Sequence, residues 1–246
     1  MHINLIINGV ESQYKINPGD TLLKVLRQDG YFGAKFGGCQ KGECGACTIL
    51  LDGMPVNSCS MLAAQAEGHT IDTIETVGEH PLKGWKKSSG LHPIQAALIE
   101  CGAIQCGYCT PAFVLAAKAL LEKKPEPSEA EVREAISGVL CRCTGYIKPV
   151  QAILRAAAIL RGEEVPPIYS SQETIPVPPD WPMGGMDREE TPKAPGQPLV
   201  VSVQPKVLPK ILISPDAERK PTTQIGRPEP KVDAAKLVQG LSLIHI

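Results

Sequence analysis

The sequence predicts an α+β unit, then an all-α unit of four helices, then an extended proline-rich tail. Three observations carry this. Apolar residues alternate around turn dipeptides in the first 60 residues. Helical periodicity takes over from Leu91. Fifteen of the 23 prolines fall in residues 165–246, and no cysteine does.

The elements follow in order. His2 to Ile7 and Tyr14 to Ile16 flank Asn8-Gly9, a hairpin signal. Asp20-Thr21 caps a short amphipathic helix over Leu22 to Arg27. A Gly/Cys-rich loop, 37–47, leads into a second hairpin: Thr48 to Leu51 and Pro55 to Asn57, turned at Asp52-Gly53. This unit is expected to span 1–78. The second, 79–162, holds helices over Pro93 to Glu100, Thr110 to Lys123, from Ser128, and Pro149 to Leu160. Proline stands early in the first two. Ser128 and Glu131 form a capping box for the third, and Arg161-Gly162 closes the fourth. Four short helices with brief connections make a small bundle. Residues 163–224 read as a linker whose apolar pieces, Val207-Leu208 and Ile211 to Ile213, could lie along a partner. No internal repeat is present.

Composition narrows the function. The 246 residues suit one or two domains, each large enough for a core. A formal net charge of -1 argues against a nucleic-acid surface or a polybasic membrane patch. No apolar stretch approaches the roughly 20 residues that span a bilayer. The N-terminus has no basic, then apolar, export signal. A cytoplasmic location without membrane insertion is expected, and nine cysteines there point to metal or redox chemistry.

Eight cysteines form two sets. Cys39-x4-Cys44-x2-Cys47-x11-Cys59 has the spacing of a plant-type [2Fe–2S] ferredoxin. Three thiolates from one tight loop and a fourth from opposite give each of two irons two sulfurs. Gly37, Gly38, Gly42 and Gly45 let backbone N–H groups turn toward those sulfurs and compensate their charge. Zinc loops more often present paired C-x2-C knuckles, so the spacing favours iron–sulfur. The second set is Cys106-x2-Cys109-x31-Cys141-x-Cys143. By spacing alone it suits zinc and iron–sulfur equally. The helix dipole after the first pair favours thiolates.

The strings Phe36 to Cys39, Gly42 to Cys47, Gln105 to Pro111 and Leu140 to Tyr146 resemble the iron–sulfur subunit or domain of the xanthine dehydrogenase/aldehyde oxidoreductase family of molybdenum hydroxylases. The resemblance covers about residues 2–162. It implies a ferredoxin-like (β-grasp) domain and a four-helix domain, each binding one [2Fe–2S] cluster. It implies electron transfer from a molybdenum–pterin centre to an external acceptor during hydroxylation of aldehydes or N-heterocycles. Gln105 and Cys143 match the positions that contact the pterin, and Cys143 would also be an iron ligand. Ala112 departs from the family's glycine there. The implied partners are a molybdenum-binding domain or subunit and a separate FAD subunit or other acceptor, because this chain has no P-loop or Rossmann glycine motif. Alone, it would not be catalytically competent.

Residues 225–240, Ile-Gly-Arg-Pro-Glu-Pro-Lys-Val-Asp-Ala-Ala-Lys-Leu-Val-Gln-Gly, resemble the opening of the family's molybdenum-binding domain. Residues 241–246 can be back-translated into the end of a sequencing-library adapter, so the reading frame is expected to be truncated. The rival readings are a free-standing ferredoxin-like carrier and a zinc-stabilised interaction module. Gln105 and the Cys-Arg-Cys string count against the carrier, and iron with acid-labile sulfide would exclude the zinc module. Outside the two sets, Cys101 reads as a small buried hydrophobe and His92 as a capping or packing residue. Arg142 reads equally as a charge offset or a solvated side chain, and Lys83, Trp85, Lys86 and Lys87 as an exposed connection.

Overall fold

The computed structural model describes residues 1–78, 90–166, 168 and 234–240. The expected basic connection (Lys83, Trp85, Lys86 and Lys87), the greater part of the 163–224 linker and the 241–246 segment lie outside them.

Two hairpins frame a five-stranded sheet. β1 (His2–Ile7) and β2 (Val10–Lys15) pair antiparallel from His2↔Lys15 to Ile7↔Val10. Asn8 and Gly9 both have positive φ, 54° and 77°, which a two-residue hairpin of this twist requires. β3 (Thr48–Leu51) and β4 (Met54–Asn57) repeat the device at Asp52 and Gly53. β5 (Thr70–Asp72) joins the hairpins, parallel to β1 and antiparallel to β3, in the order β2-β1-β5-β3-β4.

β5 is not among the strands that the sequence predicts. Three residues are too few to show alternation, and only Ile71 is buried. Long-range contacts define it instead. The Thr70 amide donates to Asp52 Oδ1, and the Thr73 amide donates to Asn8 Oδ1. β2 begins at Val10, directly after the turn and before the expected Tyr14 start, because it is an edge strand with little apolar signal.

α1 (Leu22–Gln28) is N-capped by Thr21, whose Oγ1 accepts from the Lys24 amide. Its buried Leu22, Leu23, Val25 and Leu26 meet Ile3, Leu5, Ile7, Ile49 and Ile71 of the sheet. Strand alternation sends Ile49 and Leu50 to opposite faces. Leu50 accordingly belongs to a second core, with Ile74, Val77 and the helices that follow. β3 is therefore buried on both sides.

The helices are α2 (Pro93–Glu100), α3 (Thr110–Lys123), α4 (Glu129–Ile136) and α5 (Ile147–Leu160). Ser128 and Glu131 form the expected capping box. His92 caps α2, its Nδ1 accepting from the Ile94 amide. α5 starts two residues before the expected Pro149. Tyr146 turns the chain with φ 68°, and Pro149 then takes the third helical position, where its missing N–H costs nothing. Phe113, fully buried on α3, meets the Tyr146 ring edge-on at 6.1 Å. Cys101 is buried in this core, as expected of a small hydrophobe. A short helix, α6 (Ala234–Val238), ends at Gln239-Gly240.

Candidate iron–sulfur centres

The first cysteine loop folds around its own sulfurs. The amides of Lys41, Glu43 and Cys44 approach Cys39 Sγ at 3.3–3.4 Å, and the Cys39 amide approaches Cys44 Sγ at 3.4 Å. The Gly42 amide reaches Cys59 Sγ at 3.3 Å. These dipoles draw the Cys39 thiol down to about 7, led by the Lys41 and Cys44 amides. Cys47 and Cys59 are buried, with their side chains in contact. Burial pushes the Cys47 thiol up to about 12.

The second set straddles two loops. The Cys106-Cys109 pair precedes α3 and the Cys141-Cys143 pair precedes α5. The Cys109 side chain contacts that of Cys141, and Cys106 that of Cys143. Burial raises the Cys109 thiol. The Cys106 contact raises Cys143. At Cys141 burial acts upward, but the Thr144 hydroxyl, 3.1 Å from Sγ, and the Cys143 and Thr144 amides bring the thiol below its usual range. Tyr146 fixes this loop: its hydroxyl accepts from the Cys141 amide at 2.7 Å and donates to the Val139 carbonyl at 3.3 Å.

Among the described residues, no three His, Cys, Asp or Glu side chains converge as a single-ion site. The eight thiols come as pairs: 39 with 44, 47 with 59, 106 with 143, 109 with 141. Two pairs per site, backed by inward N–H groups, suit a binuclear iron–sulfur cluster with two thiolates on each iron, and suit one tetrahedral zinc poorly.

The two loops touch. The Leu140 amide donates to the Cys44 carbonyl at 2.9 Å, placing a ligand candidate of one loop one hydrogen bond from the neighbour of Cys141. The Tyr108 hydroxyl donates to the Phe36 carbonyl at 2.9 Å. Gly45 permits the approach: a Cβ there would stand 2.1 Å from the Gly138 carbonyl oxygen, and φ is +67°. The exposed edge of the second set carries Gln105, Cys106, Arg142 and Cys143. Ala112 is buried, so its methyl lies in the core of the helices. Tyr108, Leu140 and Tyr146 stand beside the cysteines in sequence, but no local pattern assigns them a role. Only the fold shows that their backbone and hydroxyl groups join the loops.

Comparison with known proteins matches both parts of the chain to [2Fe–2S] families. The family described as "2Fe-2S iron-sulfur cluster binding domain" matches residues 5–72, and "[2Fe-2S] binding domain" matches 73–154. The chain is 48% identical over 155 residues to the nicotinate dehydrogenase small FeS subunit of Eubacterium barkeri, covering 63% of this chain and 93% of that one. It belongs to the iron–sulfur subunits of the molybdenum hydroxylase family.

A second family member, the xanthine dehydrogenase iron-sulfur-binding subunit of Escherichia coli O157:H7, is 42% identical over 154 residues, 62% of this chain and 91% of that one. The aldehyde oxidoreductase of Desulfovibrio desulfuricans superposes with a TM-score of 0.60 at 42% identity, covering 66% of this chain but 17% of that longer one. The family thus includes both separate small subunits and domains of larger chains. As a member, this chain is an electron-transfer component of an oxidoreductase that uses [2Fe–2S] clusters, and the free-standing carrier is not favoured. No helix among the described residues is long and apolar enough to cross a membrane.

Proposed function

We propose that Cys39, Cys44, Cys47 and Cys59 hold one [2Fe–2S] cluster and Cys106, Cys109, Cys141 and Cys143 the other, in a chain that carries electrons from a molybdenum–pterin centre to an external acceptor. Each cluster, when bound, supplies a one-electron site. Two electrons from an aldehyde or N-heterocycle would therefore cross singly. Entry is at the second set. Cys106 follows Gln105 in the chain and contacts Cys143, which puts Gln105 and Cys143 on one exposed edge. There the Gln105 amide offers hydrogen bonds to a pterin, and Cys143 serves as both iron ligand and pterin contact. Exit is by the exposed 36–43 loop, toward a flavin subunit or another acceptor. The substrate-binding centre belongs to a molybdenum-binding domain or subunit, whose opening 225–240 resembles, and the setting is cytoplasmic.

The Leu140–Cys44 hydrogen bond is the observation that carries this reading, because it joins the two ligand loops directly. The test is metal and sulfide analysis with EPR of the reduced chain. Four irons, four acid-labile sulfides and two reduced-cluster signals are expected, from two clusters of two irons each. Cys47→Ser should erase one signal and keep the other. Loss of both, or of neither, contradicts two independent sites.

A further inference from the structure

We propose that the surface formed by Gly33, Lys35, the 74–77 turn, Gln95 and Gly107 is a peptide seat, and that residues 234–240 of this chain are its occupant. The proposal deepens the preceding reading, since it rests on 225–240 being the opening of the molybdenum-binding portion. The seat would be where that portion grips the electron-transfer unit.

The contacts are those of recognition. Ala234, Leu237 and Val238 are buried in one cluster with Ile74 and Val77 and with residues of α2 and α3. Two backbone carbonyls of the segment are read by side chains. Gln95, fully buried, donates from Nε2 to Val77 O at 2.9 Å and to Val238 O at 3.4 Å. Lys35, only 2% exposed, donates to Gly240 O at 2.6 Å across 205 positions of sequence. A buried ammonium is tolerated only where an acceptor meets it, and the segment supplies that acceptor.

Shape narrows the occupant further. A Cβ at Gly240 would stand 2.8 Å from Ile74 Cγ2 and 3.2 Å from Gly33 Cα, with φ +89°. A Cβ at Gly107 would stand 2.7 Å from three side-chain carbons of Leu237. The seat therefore selects a short helix bearing a Leu-Val pair and ending in a left-handed glycine. The Eubacterium barkeri subunit is 93% spanned by a 155-residue match and so has no room for a segment this far along. Here the occupant is held in cis.

The experiment uses the full chain with its clusters reconstituted. Leu237→Asp should empty the seat. A fluorescent peptide of residues 231–240 should then bind the variant at least about tenfold more tightly than the wild type, whose seat is filled. The same peptide carrying Gly240→Leu should bind neither. Amides of 74–77 and 95–98 should exchange hydrogen faster in the variant and regain protection when peptide is added. Equal binding to both proteins, or no binding to a variant with unchanged circular dichroism, overturns the proposal. If Leu237→Asp does not fold, Lys35→Met and Gly240→Leu in the full chain give the same exchange readout, and unchanged exchange in both overturns it. EPR separates the two readings. Missing cluster signals in the wild type contradict the cluster assignment, whereas normal signals with unchanged exchange contradict only the seat.

Discussion

The Leu140 amide donates to the Cys44 carbonyl over 2.9 Å, and this bond joins the loop before β3 to the loop between α4 and α5. Its donor is followed directly by Cys141, and its acceptor belongs to Cys44 itself. Both sides are backbone, so truncating either side chain leaves the bond's donor and acceptor in place. The spacing of the loops is what a substitution nearby can change.

Gly45→Ala changes that spacing. The new Cβ would meet the Gly138 carbonyl at 2.1 Å in a left-handed conformation. Strain and overpacking together should cost about 3 kcal/mol of stability. Both EPR signals should persist, but electron exchange between the clusters, followed by freeze-quench EPR, should slow. Unchanged stability and unchanged exchange would show that the contact is incidental.

Tyr146→Phe tests the second loop alone. The variant removes the acceptor of the Cys141 amide and the donor to Val139 O. The expected loss is about 1–3 kcal/mol, because a half-buried amide is left without its partner. The g-values of one cluster should move and those of the other should not. Equal movement of both would place Tyr146's influence elsewhere.

Phe113→Ala addresses the core under that tyrosine. The side chain is 1% exposed, so the expected cost is about 3–5 kcal/mol. Thermal unfolding measures it. A loss below about 1 kcal/mol would mean that the helices close around the gap.

What was legible in the sequence depended on how local its cause was. Asn8-Gly9, Asp52-Gly53, Thr21 and Ser128 act within a few residues, and both hairpins, α1 and α4 formed where those residues put them. The first cysteine set stood out by spacing because three of its members share one short loop, whereas the second, split by 31 residues, stood out through the family resemblance. β5 was not legible, since its three residues are held by Asn8, Asp52 and two strands distant in sequence. Nor was the double burial of β3, because Ile49 and Leu50 read alike until α1 and α3 cover opposite faces. The loop-to-loop bond and the Lys35–Gly240 contact are likewise products of the fold, and no local pattern in the sequence encodes them.

Lys35 gives the fold a pH dependence of known sign. Burial lowers its ammonium from the ordinary 10.5 to about 8, although Glu75 acts to raise it and Arg27 adds to the lowering. Between those two values the unfolded chain holds a proton that the folded chain has released. Unfolding then takes up a proton, and stability rises as pH rises. Below about 8 both states are protonated and the full cost of burying the charge applies. Above 10.5 both are neutral and that cost is gone. The whole span is worth about 3 kcal/mol. Lys35→Met has no such proton to release. It also leaves Gly240 O without its donor, but that loss does not vary with pH. Denaturant midpoints of the two proteins should therefore diverge steadily from pH 8 to 10, the wild type gaining on the variant. Parallel midpoints across that range would show that Lys35 keeps an ordinary proton affinity, and hence that water reaches it beneath Gly240.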